Sequence, residues 1–217
     1  AGQEAVVEEV RARLKAVERG ADGGEDAHTF FFYGFPGTGK SHLAELVALA
    51  LHGQARPPNY QKFAMGNYKT DEDMWKLISP PCGVKGEGAF AALFAGEAAQ
   101  GRRGRAGPVV VFDEIEEARH DFMTSALVNA IDKRGFVELT RKPVDGPCVT
   151  EHASTAGAFV VLTSNCFLHA LREEWTAARH LPPLEAYTAV REAMERRIFE
   201  EHLPCTPDGQ ASPFAAA

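Results

Sequence analysis

The sequence predicts an α/β fold in which a central parallel sheet lies between two layers of helices. Two segments, PVVVFDE at 108–114 and AFVVLTSN at 158–165, are continuous apolar runs, typical of strands buried on both faces of a parallel sheet. A third candidate strand, HTFFFY at 28–33, leads into a glycine-rich loop, and helical patterns separate the three strands. Ligands bind at the carboxyl ends of such strands, so we expect the polar exits GFPGTGKS, DE and TSN to meet at one edge.

The remaining elements follow from apolar spacing and from chain breakers. Val10, Leu14 and Val17 recur at helical spacing and, with their neighbours, predict a helix over 4–19. Glycine and proline bound most of the later segments. In chain order we predict helices over 40–52, 71–79, 89–100, 120–133 and 183–200, a short strand over 60–65, a hairpin over 135–147 and a loose tail over 201–217.

The composition excludes several classes of protein. The formal net charge of −7 is opposite in sign to the basic field of a nonspecific nucleic-acid binder, so no nucleic-acid partner is expected. No apolar run approaches the roughly 18 residues of a membrane helix. The charged start of the chain does not resemble a signal peptide. We therefore expect a soluble, intracellular protein, in the cytoplasm or in an organelle lumen.

The cysteines and histidines show no metal-binding pattern. Cys82, Cys148, Cys166 and Cys205 are far apart and form no CxxC pair, and the eight histidines show no HExxH spacing. We expect all four cysteines to be reduced, as is usual inside cells.

The loop after the first strand has the pattern G-x-x-x-x-G-K-[ST] of a phosphate-binding P-loop. Glycines let several backbone N–H groups point into one concave nest, and the N-terminus of the next helix adds partial positive charge. Lys40 supplies a charge for the β- and γ-phosphates of ATP, and Ser41 offers a hydroxyl to Mg²⁺. The alternative is a glycine turn that only reverses the chain, but the position between a buried strand and an amphipathic helix favours a P-loop NTPase. The predicted nucleotide-binding residues are Gly34, Phe35, Pro36, Gly37, Thr38, Gly39, Lys40 and Ser41.

Two acids end the strand VVVFDE. Beside a P-loop, Asp113 is predicted to hold Mg²⁺ together with Ser41, usually through water. Its neighbour Glu114 is predicted to orient and deprotonate the attacking water. The alternative is a solvated acidic cap that continues into Glu116 and Glu117.

Two further candidates lie later in the chain. Asn165, at the end of the third polar exit, is predicted to hydrogen-bond the γ-phosphate and the lytic water, and a turn-forming asparagine is the alternative. Arg196 and Arg197 stand late in the helical segment REAMERRIFEE. Either they lie on a solvated helical face with glutamate partners, or they reach the phosphate of a neighbouring subunit as an arginine finger does.

Taken together, the motifs resemble those of the AAA+ ATPases, and among them the Clp-type chaperone and unfoldase ATPases, closest to the second module of ClpA and ClpB. GQEA at 2–5 matches the GQxxA that opens these modules, GFPGTGKS is similar to their Walker A motif, VVVFDEIEEAR to Walker B, and LTSN to sensor 1. RRI at 196–198 lies where the family has an asparagine, the arginine finger and an isoleucine. The resemblance covers about residues 1–200 and implies one AAA+ large subdomain, with Glu114, Asn165 and Arg197 as catalytic residues.

The resemblance also implies an assembly and an activity. AAA+ proteins of this kind form rings, usually hexamers, with ATP at the subunit interfaces. By the same resemblance, hydrolysis would drive a polypeptide substrate through a central pore.

The chain departs from the family pattern in two places. SPPCGVKGEG at 79–88 stands where Clp proteins have a PPGYVG-like pore loop, but the aromatic that grips substrate is missing, and Val84 and Lys85 are the nearest candidates. The sequence also ends without the helical lid and begins with Ala1, so we expect a processed chain or a piece of a longer protein. The arginines of GRRGR at 101–105 lie either on a solvated loop or at a subunit contact.

Three functions therefore stay open at this point. The first is an ATP-hydrolysing motor module that acts on proteins. The second is a nucleotide-gated scaffold or regulator without threading activity, which the missing pore aromatic and lid favour. The third is a P-loop phosphotransferase for a small molecule, which would not need the two acids beside an asparagine-ended strand and a distal arginine pair.

Overall fold

The computed structural model describes residues 3–18, 26–84, 88–95, 106–141 and 147–200. Its helices are Glu4–Glu18 (α1), Lys40–His52 (α2), Asp71–Leu77 (α3), Ala89–Ala92 (α4), Val128–Ile131 (α5), Leu168–Ala178 (α6) and Pro183–Phe199 (α7). Its strands are His28–Tyr33 (β1), Tyr60–Ala64 (β2), Val109–Asp113 (β3), Phe136–Arg141 (β4), Val149–Ser154 (β5) and Phe159–Ser164 (β6). Short 3₁₀ turns, Met65–Asn67 and Ile115–Glu117, follow β2 and β3, and a π-helical stretch, Phe122–Leu127, leads into α5.

Four strands form a parallel sheet in the order β1-β6-β3-β2. At the ends of the strands, Tyr33 lies opposite Ser164, and Ala64 lies opposite Asp113. The carboxyl ends of the strands therefore lie along one edge. The glycine-rich loop, the two acids and the Thr-Ser-Asn segment meet there, as the sequence predicts.

Helices pack on both faces of this sheet. Successive strand residues point to opposite faces. Val109 and Val111 of β3 pack with α1 and α2, whereas Val110 and Phe112 pack with α3, α4 and the π-helical stretch. All four of these residues are fully buried. The result is the predicted three-layer α/β/α architecture.

Helices α6 and α7 pack beside β1. Ala170 and Leu171 of α6 share an apolar cluster with Val190 and Met194 of α7, and Tyr33 packs against that cluster. The sequence analysis predicted α7 but no helix at α6. Within the described residues, no helix has both the length and the apolar character needed to cross a membrane.

Helix α1 is joined to α7 through one carboxylate. Glu9 accepts hydrogen bonds from the Tyr187 hydroxyl at 2.9 Å and from the Arg191 guanidinium at 2.9 Å. Gln3, just before α1, donates a side-chain hydrogen bond to the carbonyl of Thr38 in the glycine-rich loop. The start of the described chain is thus attached both to α7 and to the loop.

Several predicted boundaries differ from the structure. Helix α3 ends at Leu77 rather than at residue 79, and the predicted helix over 120–133 contains the π-helical stretch. The helix predicted over 89–100 is observed as α4 alone, and its last five residues, with Lys85, GRRGR and the predicted loose tail, lie outside the described residues. The hairpin predicted over 135–147 is right only for its first strand: β4 lies within those bounds, but its antiparallel partner β5 begins after them.

The expectation that all cysteines are reduced is wrong. Cys82 and Cys148 form a disulfide with a Cα–Cα distance of 6.0 Å, within the range that a disulfide spans. Cys166 is disulfide-bonded as well, and Cys205 lies outside the described residues. The spacing of the cysteines did not reveal this pairing, because the bond joins two residues that are 66 positions apart in the chain. The bond attaches the loop that contains Cys82 to the segment just before β5. That loop stands where the Clp-type proteins have their pore loop.

Candidate functional site

The loop between β1 and α2 has the conformation that its glycines allow. Gly37 has a φ of 75° and Gly39 a φ of 89°, in the left-handed region that side chains disfavour. The carbonyl of Gly39 accepts the N–H of Leu43 at 2.8 Å, so α2 begins directly after the loop. The first N–H groups of a helix have no partner within the helix, and here they lie at the loop.

Lys40 connects this loop to the end of β6. Its Nζ donates to the carbonyl oxygens of Gly34 at 2.9 Å and Phe35 at 3.1 Å, and to Asn165 Oδ1 at 2.9 Å. Burial lowers the pKa of Lys40, and nearby carboxylates, that of Glu116 first, offset this only in part. Two predicted site residues 125 positions apart, Lys40 and Asn165, are therefore in direct contact.

Asp113 is the most heavily hydrogen-bonded carboxylate of the site. Its Oδ1 accepts from Ser41 Oγ at 2.6 Å and from Thr163 Oγ1 at 2.6 Å. Its Oδ2 lies 2.7 Å from Lys62 Nζ. Burial alone would raise the pKa of Asp113, but the hydrogen bonds, led by that from Lys62, outweigh burial and hold the pKa below its usual value. Asp113 is therefore a carboxylate at neutral pH.

Glu114 has a strained backbone and an exposed side chain. Its φ of 56° and ψ of 59° lie in the left-handed region, which is uncommon for a residue other than glycine. Its N–H donates to Thr163 Oγ1 at 3.2 Å, and its Oε1 accepts from Asn165 Nδ2 at 3.3 Å. The side chain thus points to the same side as Asn165 and is free to take part in chemistry there.

Glu116 holds the backbone at Asn165, just after the end of β6. Its Oε1 accepts the backbone N–H of Asn165 at 2.9 Å, and its Oε2 is buried with no hydrogen-bond partner among the described residues. The alternative in which Glu116 belongs to a solvated cap is therefore wrong. Glu117 does fit that alternative, because it is exposed and pairs with Lys69 at 2.7 Å.

Arg197 lies apart from this cluster. Its Nη1 donates to Glu173 Oε2 at 3.1 Å and to Glu174 Oε1 at 2.8 Å, both on α6. These are the glutamate partners of the solvated-face alternative, although they lie on a neighbouring helix. Arg196 is exposed and has no ion pair among the described residues.

The sequence analysis missed the parts played by Lys62, Thr163 and Glu116. Thr163 and Glu116 were visible as neighbours of predicted residues, but their contacts depend on the register between β3 and β6. Lys62 carries no motif signal at all. A lysine at the middle of a short edge strand is an ordinary solvated residue until the pairing of β2 with β3 is known.

A protein-family model described as "AAA domain (dynein-related subfamily)" matches residues 29–167, which is more than half of the chain. The chain belongs to this family of AAA ATPase domains. The matched range begins in β1 and ends just after Asn165, so it contains the P-loop, both acids and the asparagine.

Curated relatives of this AAA domain agree with the Clp-type resemblance. The human "Mitochondrial disaggregase" is 28% identical over 126 residues, which is 58% of this chain and 17% of that protein. The "ATP-dependent protease ATP-binding subunit-like protein AmiB" of Pseudomonas aeruginosa is 30% identical over 60% of this chain and 34% of its own length. The "Heat shock protein hsp98" of Neurospora crassa is 25% identical over 72% of this chain and 16% of its length. The AAA domain thus spans about a third or less of these relatives.

Solved structures agree on the fold. A closed-state reconstruction of Hsp104 with ATPγS and FITC casein superposes with a TM-score of 0.59 at 20% identity, over 90% of this chain and 30% of that one. The S. cerevisiae Hsp104-ADP complex gives a TM-score of 0.52 at 19% identity, over 94% of this chain and 32% of that one. The predicted fold, that of a P-loop NTPase and AAA+ large subdomain, is confirmed.

Proposed function

We propose that this AAA domain binds ATP with Mg²⁺ and hydrolyses it to drive protein remodelling by a ring of subunits. The observation that carries this proposal is the contact cluster at the carboxyl edge of the sheet. There Lys40 meets Asn165, Ser41 meets Asp113, and Glu114 meets Asn165, all within hydrogen-bonding distance.

The donor set at this edge fits Mg²⁺. The Ser41 hydroxyl and the Asp113 carboxylate are hard oxygen donors already in contact at 2.6 Å. Mg²⁺ is commonly held by one or two carboxylates together with substrate phosphates. Bound there, the ion would neutralise charge on the β- and γ-phosphates of ATP.

Residues of the chain itself would bind the phosphates, orient the attacking water and accept its proton. The loop N–H groups and the start of α2 would bind the phosphates, with Lys40 as a point charge for the β- and γ-phosphates. Glu114 would accept the proton of the attacking water, because its exposed carboxylate is held toward Asn165 rather than toward a cation. Asn165 would orient that water and the γ-phosphate from the next strand.

The test of this assignment is Glu114→Gln. The amide keeps the shape and the contact with Asn165 but cannot take a proton, so turnover should fall by about 10²–10⁴-fold. ATP affinity, measured with a fluorescent nucleotide, should change little. Glu117→Gln is the matched control, because Glu117 is also exposed after β3 but pairs with Lys69 instead. Turnover that survives Glu114→Gln would mean that another group is the base.

The ring and its substrate are inferred from the relatives. The family resemblance implies a homo-oligomer, usually a hexamer, with a polypeptide as substrate. One solved neighbour is a reconstruction of Hsp104 together with casein, which is a polypeptide. We extend this to the chain as a proposal, with Arg197 as the residue that reaches the neighbouring subunit's nucleotide.

A nucleotide-gated scaffold is the second candidate. The observation that favours it is the disulfide from Cys82 to Cys148, which restrains the segment at the pore-loop position. That segment also presents Val84, 46% exposed, where the family has an aromatic. A full-length protein that hydrolyses ATP but leaves a tagged, unstable model substrate folded would favour the scaffold over the motor.

A further inference from the structure

The ion pair between Lys62 and Asp113 is a feature of the site that the family resemblance does not explain. We propose that Lys62 competes with the divalent cation for Asp113, and so sets how tightly the metal binds with nucleotide. The inference rests on the proposed function, since it concerns the Mg²⁺ of the same site. Lys62 would then act on the metal only through its ion pair with Asp113.

The two carboxylate oxygens of Asp113 have different partners. Oδ1 accepts from two hydroxyls, those of Ser41 and Thr163, each at 2.6 Å. Oδ2 faces the Lys62 ammonium at 2.7 Å. The hydroxyls are neutral, and Ser41 is itself a predicted metal ligand. Among these three partners of Asp113, the ammonium is therefore the one whose charge opposes a cation.

The position of Lys62 allows it to move away. It lies on β2, which pairs with β3 alone in the described sheet, and its side chain is 39% exposed. The Asp113 side chain is only 19% exposed and is held by Thr163 from the interior. When a cation approaches Oδ2, Lys62 can turn toward solvent, whereas the carboxylate stays in place.

The size of the effect follows from Coulomb's law. A cation bound directly to Asp113 Oδ2 would lie within about 5 Å of the ammonium, and one held through a water within about 7 Å, unless Lys62 moves. With the dielectric constant of water, about 80, repulsion between a single and a double charge over this range of distances corresponds to about tenfold in affinity. Removing the ammonium should therefore tighten metal binding by about tenfold, even though an ion pair is lost.

The test measures Mn²⁺ binding rather than turnover. Mn²⁺ is titrated into the full chain saturated with ADP, and free Mn²⁺ is followed by electron paramagnetic resonance. Lys62→Met should bind Mn²⁺ about tenfold more tightly than wild type. Lys62→Arg keeps the positive charge and should stay within about twofold of wild type. Lys69→Met is the matched control, because Lys69 also pairs with a carboxylate at 2.7 Å, that of Glu117 rather than Asp113, and the change should have no effect on Mn²⁺ binding.

Two results would overturn the inference. Equal Mn²⁺ affinity in wild type and Lys62→Met would show that the ammonium does not compete. Weaker binding in Lys62→Met would show that Lys62 only orients Asp113 for the metal. Lys62→Gln serves the same comparison if the methionine variant does not fold. Failure of the wild type to bind ADP at all would contradict the proposed function instead, and a separate ADP titration detects that case.

Discussion

At the scale of single residues, the Thr163 hydroxyl makes hydrogen bonds to both Asp113 and Glu114. Thr163 Oγ1 donates to Asp113 Oδ1 at 2.6 Å and accepts the N–H of Glu114 at 3.2 Å. Thr163 is itself almost fully buried, at 1% exposure. The hydroxyl therefore fixes the carboxylate proposed to bind the metal and the strained backbone of the proposed base together.

We expect Thr163→Val to damage both stability and turnover. Valine keeps the shape but removes one hydrogen bond from the partly buried Asp113 carboxylate and leaves the Glu114 N–H without this acceptor, which should lower the free energy of unfolding by about 1–3 kcal/mol. ATP turnover should fall while nucleotide affinity changes little, because the P-loop contacts remain. Urea unfolding and steady-state kinetics measure the two effects.

Thr163→Ser is the matched control for this prediction. Serine keeps the hydroxyl and should recover most of the turnover that valine loses. If Thr163→Ser and Thr163→Val had equal turnover, the hydroxyl would have no part in positioning the acids, and the loss would reflect packing alone.

The individual residues of the site were predictable to different degrees. Lys40 and Ser41 follow from a motif whose spacing encodes one local loop, so the sequence suffices. Asp113 and Asn165 follow from their place at the ends of apolar strands. The contacts of Lys62 and Glu116 could not be predicted, because they join neighbouring strands and turns whose register no local pattern specifies.

At the scale of elements, the buried strands were predictable because their composition has one explanation, burial on both faces. Helix α6 was not predicted, since its sequence, LHALREEWTAA, mixes apolar and charged residues and follows an irregular turn at Phe167. Its apolar side is buried by α7 and β1, which lie elsewhere in the sequence. Strand β5 was missed for a similar reason, because most of its residues are exposed and only pairing with β4 defines it.

The disulfide between Cys82 and Cys148 joins the loop after α3 to the segment just before β5 and should stabilise the domain. It links positions 66 residues apart, so its removal returns conformational entropy to the unfolded chain. We expect Cys82→Ser together with Cys148→Ser to lower the free energy of unfolding by about 2–4 kcal/mol. Guanidinium unfolding of the two proteins without reductant measures this difference.

A reductant is not a sufficient control, because Cys166 is also disulfide-bonded. The single variant Cys82→Ser is the better comparison and should match the double variant. Hydrogen exchange should also become faster in the residues just before Cys82, where Ser79 Oγ accepts the N–H of Thr140 at 3.0 Å. Unchanged stability in both variants would mean that the bond constrains nothing in solution.

At the scale of the whole molecule, the three-layer architecture follows from alternating buried strands and helices, and so does the edge at which the site forms. The arginine-finger proposal for Arg197, in contrast, concerns the nucleotide of a second subunit, which one chain does not contain. Arg197 is held by Glu173 and Glu174 of its own α6, at 3.1 and 2.8 Å. Such pairing is compatible with either alternative, since glutamates can fix a guanidinium on a solvated face or present it to the next subunit.

Turnover measured against protein concentration separates these alternatives. If sites are completed between subunits, activity per subunit should rise as the chains assemble. Arg197→Ala should abolish that rise and lower turnover in the assembled state by about 10³–10⁵-fold, the range for an arginine finger.

Arg196→Ala is the matched control, because the neighbouring arginine is exposed without an ion pair among the described residues, and it should keep turnover within a few-fold of wild type. Sedimentation at the same concentrations must show that both variants assemble as wild type does. Activity that is independent of concentration and of Arg197 would mean that the guanidinium only joins α6 to α7, and that the finger is another residue or absent.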